Sequence, residues 1–104
     1  MDAAEADWRL TSQDQYLSGA SLVRKRYRVS SEDWEHDHCA FCWAKFMDPG
    51  YSDEHRAFVA ENPETLTEGY TTTAEHPSGA DYHWVCPGCF DDFADAFRWR
   101  VVSA

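Results

Sequence analysis

Two short stretches contain all four cysteines of the chain: Cys39-Ala40-Phe41-Cys42 and Cys86-Pro87-Gly88-Cys89. A two-residue spacing lets both thiolates of a pair bind one ion, because the turn between them brings the sulfurs together. Four thiolates suit tetrahedral Zn²⁺ at about 2.3 Å in a closed, structural site. In a reducing compartment such paired motifs indicate a metal site rather than disulfides. The sequence therefore predicts one structural Zn²⁺ held by Cys39, Cys42, Cys86 and Cys89.

Two other interpretations of the cysteines are weaker. Four free thiols with accidental spacing would need the same spacing to arise twice by chance. A thioredoxin-like redox motif needs a single reactive pair on a βαβ unit, and this chain offers two pairs and a hairpin pattern instead. The metal interpretation is the one that uses all four cysteines.

The elements around the cysteines predict an α+β fold. Residues 69–73 and 82–85 are β-prone and flank a turn-forming stretch at 75–79, which indicates a hairpin. Apolar residues at helical spacing predict an amphipathic helix over 88–99 that begins at the second pair. A first pair on a knuckle, then a hairpin, then a helix is typical of a treble-clef zinc finger; a zinc ribbon is the alternative.

The rest of the chain is predicted to pack on this zinc-stapled core as a single domain over 1–104. A short helix over about 12–18, a break at Gly19 and a strand over 21–29 precede the first pair. Residues 1–10 are expected to be disordered at their start and anchored by Trp8 and Leu10. Because the two pairs lie unusually far apart, residues 48–68 are predicted to be an insertion loop, within which Ser52 can cap a short helix over 52–62.

Composition excludes several classes of protein. The chain has 104 residues, with 19 acidic and nine basic ones, and a formal net charge of −10. This charge balance argues against a dedicated nucleic-acid-binding protein, since phosphate contacts need basic residues. No apolar run reaches the roughly 18 residues of a membrane span. The acidic N-terminus does not fit the pattern of a signal peptide. We expect a cytoplasmic protein without membrane contact, and a monomer.

The run His36-Asp37-His38 offers the types of side chain that a catalytic metal site uses. A nuclease of the HNH type also builds on a treble clef with histidine and a metal, so a metal-dependent hydrolase or nuclease is an alternative function. The simpler interpretation is that four cysteines complete the zinc shell and these residues are surface or supporting groups. Of the other histidines, His83 is predicted to pack in a strand, and His55 and His76 to be exposed in loops.

Four of the nine basic residues are clustered: Arg24, Lys25, Arg26 and Arg28. We predict that this basic face pairs with acids of the same protein, and association with RNA or the ribosome is the alternative. The large aromatic residues near the cysteines are predicted to form the core around the zinc, and any left exposed would be interface anchors. They are Trp34, Phe41, Trp43, Phe46, Trp84 and Trp99.

Four strings carry a resemblance that covers nearly the whole chain: DWRLTSQDQYL at 7–17, WEHDHCAFCWAKF at 34–46, EGYTT at 68–72 and YHWVCPGCFDDF at 82–93. They resemble a family of small bacterial cysteine-rich proteins with paired CxxC motifs and no assigned activity. The resemblance implies a bacterial, cytoplasmic, metal-binding protein, and it supplies no catalytic residues. The segment after Phe46 is longer here than in that pattern.

Small size and strong acidity favour a non-enzymatic protein-interaction module. Its partner is expected to be another protein, and a basic one, because the acidic excess would steer a basic surface towards it. An inhibitor or an immunity-type partner fits this description. The hydrolase with His36, Asp37 and His38, and the RNA-associated factor with Arg24 to Arg28, are the alternatives.

Overall fold

The computed structural model describes residues 8–29 and 36–102, which form three helices and six strands. The helices are α1 (Asp14–Leu17), α2 (Asp53–Glu61) and α3 (Pro87–Phe97). The strands are β1 (Ser21–Arg26), β2 (His36–His38), β3 (Lys45–Met47), β4 (Glu68–Thr72), β5 (Trp84–Val85) and β6 (Arg100–Val101). The α+β class is confirmed. No helix among these residues has the length and apolarity needed to span a membrane.

Four strands form one sheet in the order β5-β4-β1-β6, and β2 and β3 form a separate antiparallel hairpin. β1 pairs antiparallel with β4 and parallel with β6. The predicted hairpin is confirmed, since β4 and β5 are antiparallel neighbours in which Tyr70 faces Val85 and Thr71 faces Trp84. The first cysteine pair lies between β2 and β3, and it contacts β5 because the amide of Ala40 donates to the carbonyl of Trp84 at 2.8 Å.

The N-terminal segment differs in part from its prediction. The helix is only four residues long, and Gly19 ends it with a φ of +71°, a conformation that glycine adopts without strain. Leu10 packs against the core as expected. The prediction that Trp8 anchors the segment is wrong, because this side chain is 70% exposed. Residues 1–7 of the predicted disordered stretch lie outside the described residues.

The stretch 48–68 is more structured than an insertion loop. Ser52 caps α2 as predicted, with its Oγ accepting from the amide of His55 at 3.1 Å. After α2 the chain returns beside β3. There the amide of Leu66 donates to the carbonyl of Lys45, and the carbonyl of Leu66 accepts from the amide of Met47. These backbone bonds tie the stretch to the hairpin that carries the first cysteine pair.

The core is aromatic and contacts both cysteine pairs. The Phe41 ring stacks on Phe93 at 4.9 Å and meets the edges of Phe97 and Trp99, so the first pair is packed onto α3. Phe46 of β3 and Trp84 of β5 are also buried. These burials confirm four of the predicted core aromatics: Phe41, Phe46, Trp84 and Trp99.

α3 begins and ends with specific local signals. Pro87 occupies its first turn, where a missing N–H does no harm, and Cys86 caps the N-terminus by accepting from the amide of Cys89. Arg98 ends the helix in the left-handed region with a φ of +57°. The helix therefore starts within the second cysteine pair. Its observed bounds agree with the predicted span of 88–99 to within two residues at each end.

Candidate metal centre

The four cysteines form one cluster. Cys39 directly follows β2 and Cys42 lies in the turn, where the amide of Trp43 donates to the carbonyl of Cys39 at 3.1 Å. Cys86 and Cys89 come from the start of α3. The four Sγ atoms all lie within 4.8 Å of one another. The structure thus brings together all four ligands that the spacing predicts.

Sulfur separations in the cluster fit a metal rather than a disulfide. The Sγ atoms of Cys42 and Cys86 are 3.6 Å apart, far beyond a covalent S–S bond. Tetrahedral Zn²⁺ with bonds of about 2.3 Å holds its sulfurs about 3.8 Å apart. Cys39, Cys86 and Cys89 are buried, whereas Cys42 is half-buried at the rim of the cluster. This donor set can hold a metal ion.

Backbone amides are aimed at the sulfurs. Cys39 Sγ accepts from the amide of Phe41 at 3.5 Å and from the amide of Cys86 at 3.3 Å. Cys86 Sγ accepts from the amide of Cys89 at 3.3 Å, at the positive end of α3. These donors stabilise thiolates, which are the form that binds a metal.

The thiols also act on one another. Hydrogen bonds from the Cys86 and Cys89 thiols hold the pKa of Cys39 well below its usual range. The bond to the charged Cys39 in turn raises the pKa of Cys86 and of Cys89. The first negative charge in the cluster therefore opposes each further one. A divalent cation among the sulfurs removes that opposition, since ligand thiols bind it deprotonated.

Two residues that the sequence did not single out support the cluster. Arg9 donates from Nη1 to Cys89 Sγ at 3.5 Å and to Asp92 at 2.9 Å, and its guanidinium lies 4.4 Å above the Phe93 ring. Gln13 is buried, and its Nε2 donates to the carbonyls of Arg9 and Ala40. Gln13 thereby ties the segment that carries Arg9 to the first cysteine pair.

His36, Asp37 and His38 do not converge on one point. They occupy successive positions of β2, so the two imidazoles share the exposed face, with ring centroids 5.2 Å apart. Asp37 is half-buried on the opposite face, where it accepts from the Tyr27 hydroxyl at 3.3 Å. The pKa of Tyr27 is raised mainly by burial of the hydroxyl and, to a lesser extent, by the nearby charge of Asp37. Among the described residues, three or more potential ligand atoms come together only at the four cysteines.

The remaining histidines depart in part from expectation. His55 is buried on α2, so its predicted exposure is wrong; its Nδ1 lies 2.7 Å from Ser52 Oγ. His76 lies in the loop after β4 and is half-buried, with Nε2 2.6 Å from the carbonyl oxygen of Tyr16. His83 packs as predicted, with its ring 4.6 Å from that of Tyr16, although it precedes β5 rather than lying in the strand.

Among the described residues, ion pairs are seen for two members of the basic cluster. Arg24 lies 3.4 Å from Glu68 and Lys25 lies 2.6 Å from Asp81. Arg26 and Arg28 are exposed. The prediction of internal pairing is therefore confirmed for Arg24 and Lys25.

One aromatic near the cysteines is not core. Trp43 is 66% exposed, so its predicted burial around the metal is wrong. Its backbone adopts a φ of +67°, which turns the chain directly after Cys42 and directs the indole outwards. Trp34 lies outside the described residues.

Comparison of the chain with protein-family models, with curated proteins and with solved structures gives no significant match.

Proposed function

We propose that the cluster binds one Zn²⁺ and that this ion is structural, in a fold of the treble-clef type. The order of elements supports the fold: the hairpin of β2 and β3 holds the first pair, β4 and β5 follow, and α3 supplies the second pair. Four thiolates, mostly buried, leave no position for a substrate, which is the mark of a closed zinc site. Residues 48–68 are then an insertion that contains α2.

The structural role is tested by metal removal. Binding free energy at such sites is on the order of 10 kcal/mol and is available only to the folded chain. We expect a chelator, or Cys39→Ser or Cys89→Ser, to abolish the near-ultraviolet circular dichroism of the packed aromatics. A Cys89→Ser chain that is soluble, folded and free of zinc would disprove the structural role.

We propose further that the protein is a cytoplasmic, non-enzymatic interaction module. One observation carries this proposal: Trp43 is exposed and held at a positive φ, in a region that a bulky side chain rarely adopts. Residues held in such conformations cluster at functional sites, because the surrounding structure must enforce them. Tryptophan is also the side chain most enriched among the residues that dominate binding energy at protein interfaces.

The surroundings of Trp43 support a docking surface. The indole borders an open groove that Tyr82, which is 51% exposed, and Tyr16 also line. Aromatic faces accept cationic side chains, and the formal charge of −10 attracts a basic surface over a longer range. A basic protein is therefore the partner class that we propose, and inhibition or neutralisation of that partner is the function that fits so small a chain.

The alternatives have less support. A hydrolase built on His36, Asp37 and His38 needs a converged site, and β2 separates the carboxylate from the imidazoles. An RNA-binding role through the basic cluster must rely on Arg26 and Arg28, since Arg24 and Lys25 face acidic partners. Neither alternative accounts for the exposed Trp43.

The interaction proposal is tested by purifying the zinc-loaded chain from its own cells and recording a native mass spectrum. We expect one zinc and a stoichiometric basic protein that dissociates as salt rises, because exposed charges are screened. Trp43→Ala should lose this partner. Tyr51→Ala, which removes an exposed aromatic outside the groove, should keep it. Equal retention by both variants would contradict the assignment of Trp43.

A further inference from the structure

We propose that His36 and His38 form a second metal site, separate from the cysteines, that binds one divalent transition-metal ion of the type that prefers imidazole. Both residues lie on the exposed face of β2. Their ring centroids are 5.2 Å apart and the ring planes are nearly perpendicular, at 87°. This arrangement presents two imidazoles side by side to solvent.

The separation matches what one shared ion requires. A metal–nitrogen bond of about 2.1 Å, with about 1.1 Å from the nitrogen to the ring centre, puts each centroid about 3.2 Å from the ion. At bond angles of about 90–110° at the ion, the two centroids are about 4.5–5.2 Å apart. The observed separation of 5.2 Å lies at the upper edge of this interval, so the ring spacing is compatible with one shared ion.

The backbone beneath the pair is fixed. His36 faces Met47 and His38 faces Lys45 across the antiparallel register of β2 and β3. The next residue, Cys39, donates from its amide to the carbonyl of Ala44 at 2.8 Å. Each imidazole has two nitrogens, so one can hold a hydrogen bond while the other binds the metal, which is the usual arrangement at histidine ligands.

A second histidine pair has the same ring separation and different surroundings. The centroids of His76 and His83 are also 5.2 Å apart, and their planes meet at 74°. Both nitrogens of His76 are already engaged, however: Nε2 lies 2.6 Å from the carbonyl oxygen of Tyr16, and Nδ1 accepts from the amide of Ser78 at 3.0 Å. This pair is half-buried and supplies a matched control.

Two imidazoles favour Cu²⁺, Ni²⁺ and Zn²⁺ over Mg²⁺ or Ca²⁺, which prefer oxygen ligands. Two protein ligands leave the other coordination positions to water or to a donor from another molecule. His38 also lines the groove that Trp43 borders, and the two rings are 6.4 Å apart. An ion bound by the pair therefore lies at the edge of that groove.

The experiment uses Ni²⁺, because Cu²⁺ oxidises thiols. The untagged chain, with one zinc, is titrated with Ni²⁺ by calorimetry, and native mass spectrometry checks that the zinc is retained. We expect one Ni²⁺ per chain in addition to the zinc. His36→Gln and His38→Gln should each weaken binding by at least about tenfold, because a single imidazole remains. His76→Gln should leave it unchanged.

Three results would overturn the proposal. One is Ni²⁺ binding that is as tight in the His36→Gln, His38→Gln double variant as in the unaltered chain. Another is an equal loss in His76→Gln. The third is a mass that shows Ni²⁺ in place of zinc rather than beside it. His36 is exposed and lies three residues before Cys39. If His38→Gln disturbs the cysteine cluster, Ni²⁺ binding by His36→Gln alone therefore decides between the outcomes.

Discussion

Arg9 and Cys89 are eighty positions apart in the chain, and Arg9 Nη1 donates to Cys89 Sγ at 3.5 Å. The same nitrogen lies 2.9 Å from Asp92, one turn further along α3. A Zn²⁺ with four thiolates carries a net charge of −2, so a guanidinium at one sulfur offsets part of that charge. Groups that hydrogen-bond to metal ligands commonly change metal affinity by about 10–100-fold.

Removing the Arg9 charge should weaken zinc binding. We expect Arg9→Gln to lower zinc affinity by about tenfold, measured by competition with a chromophoric chelator. Arg26→Gln makes the same change of charge at an exposed position on β1 and should have little effect. If the two variants lose affinity equally, net charge rather than the contact with Cys89 is responsible.

The close approach of β4 to the core makes Gly69 intolerant of a side chain. A Cβ at this position would lie 2.8 Å from the ring of Phe46 and 2.8 Å from the carbonyl oxygen of Val85. We expect Gly69→Ala to lower the free energy of unfolding by about 1–3 kcal/mol in denaturant titrations, as overpacked cores do.

Gly88→Ala is the control for that measurement, since a Cβ there meets no atom within 4 Å. Gly88 is in the first turn of α3, where alanine is the better helix former. We expect its stability to be equal or slightly higher. A Gly69→Ala chain as stable as Gly88→Ala would show that β4 does not lie where the structure places it.

The cap of α2 gives a prediction outside the metal site. Ser52→Ala removes the oxygen that accepts from the amide of His55, so we expect a loss of about 1 kcal/mol in the free energy of unfolding. Ser52→Asp keeps an accepting oxygen and should retain most of the stability. The idea fails if the alanine and aspartate variants unfold at the same denaturant concentration.

His83 should make the fold sensitive to acid. Burial, together with the neighbouring His76, lowers the pKa of His83 in the folded chain. The unfolded chain then binds more protons, so stability is full above about pH 6.5 and falls as the pH drops below it. His83→Phe, which keeps a ring against Tyr16, should lose less stability between pH 7 and pH 5. Parallel curves for the two chains would contradict this assignment, since both share the acid sensitivity of the thiolates.

The cysteines and the elements that carry them could be predicted because their signals are local. A two-residue spacing, a turn-forming stretch and apolar residues at helical spacing each lie within about a dozen positions. Arg9 and Gln13 could not be predicted, because their contacts join residues far apart in sequence and no spacing rule marks them. Trp43 was expected in the core, since its outward direction depends on a positive φ that its sequence neighbours do not reveal. His55 was expected to be exposed because the weak pattern of 48–68 hid the buried side of α2.

We propose a tetrathiolate zinc centre formed by Cys39, Cys42, Cys86 and Cys89. X-ray absorption at the zinc edge, on the chain loaded with one equivalent of zinc, tests it most directly. We predict a first shell of four sulfurs at about 2.3 Å and no nitrogen or oxygen scatterer. A first shell with two or fewer sulfurs, or with imidazole nitrogens at about 2.0 Å, would contradict it.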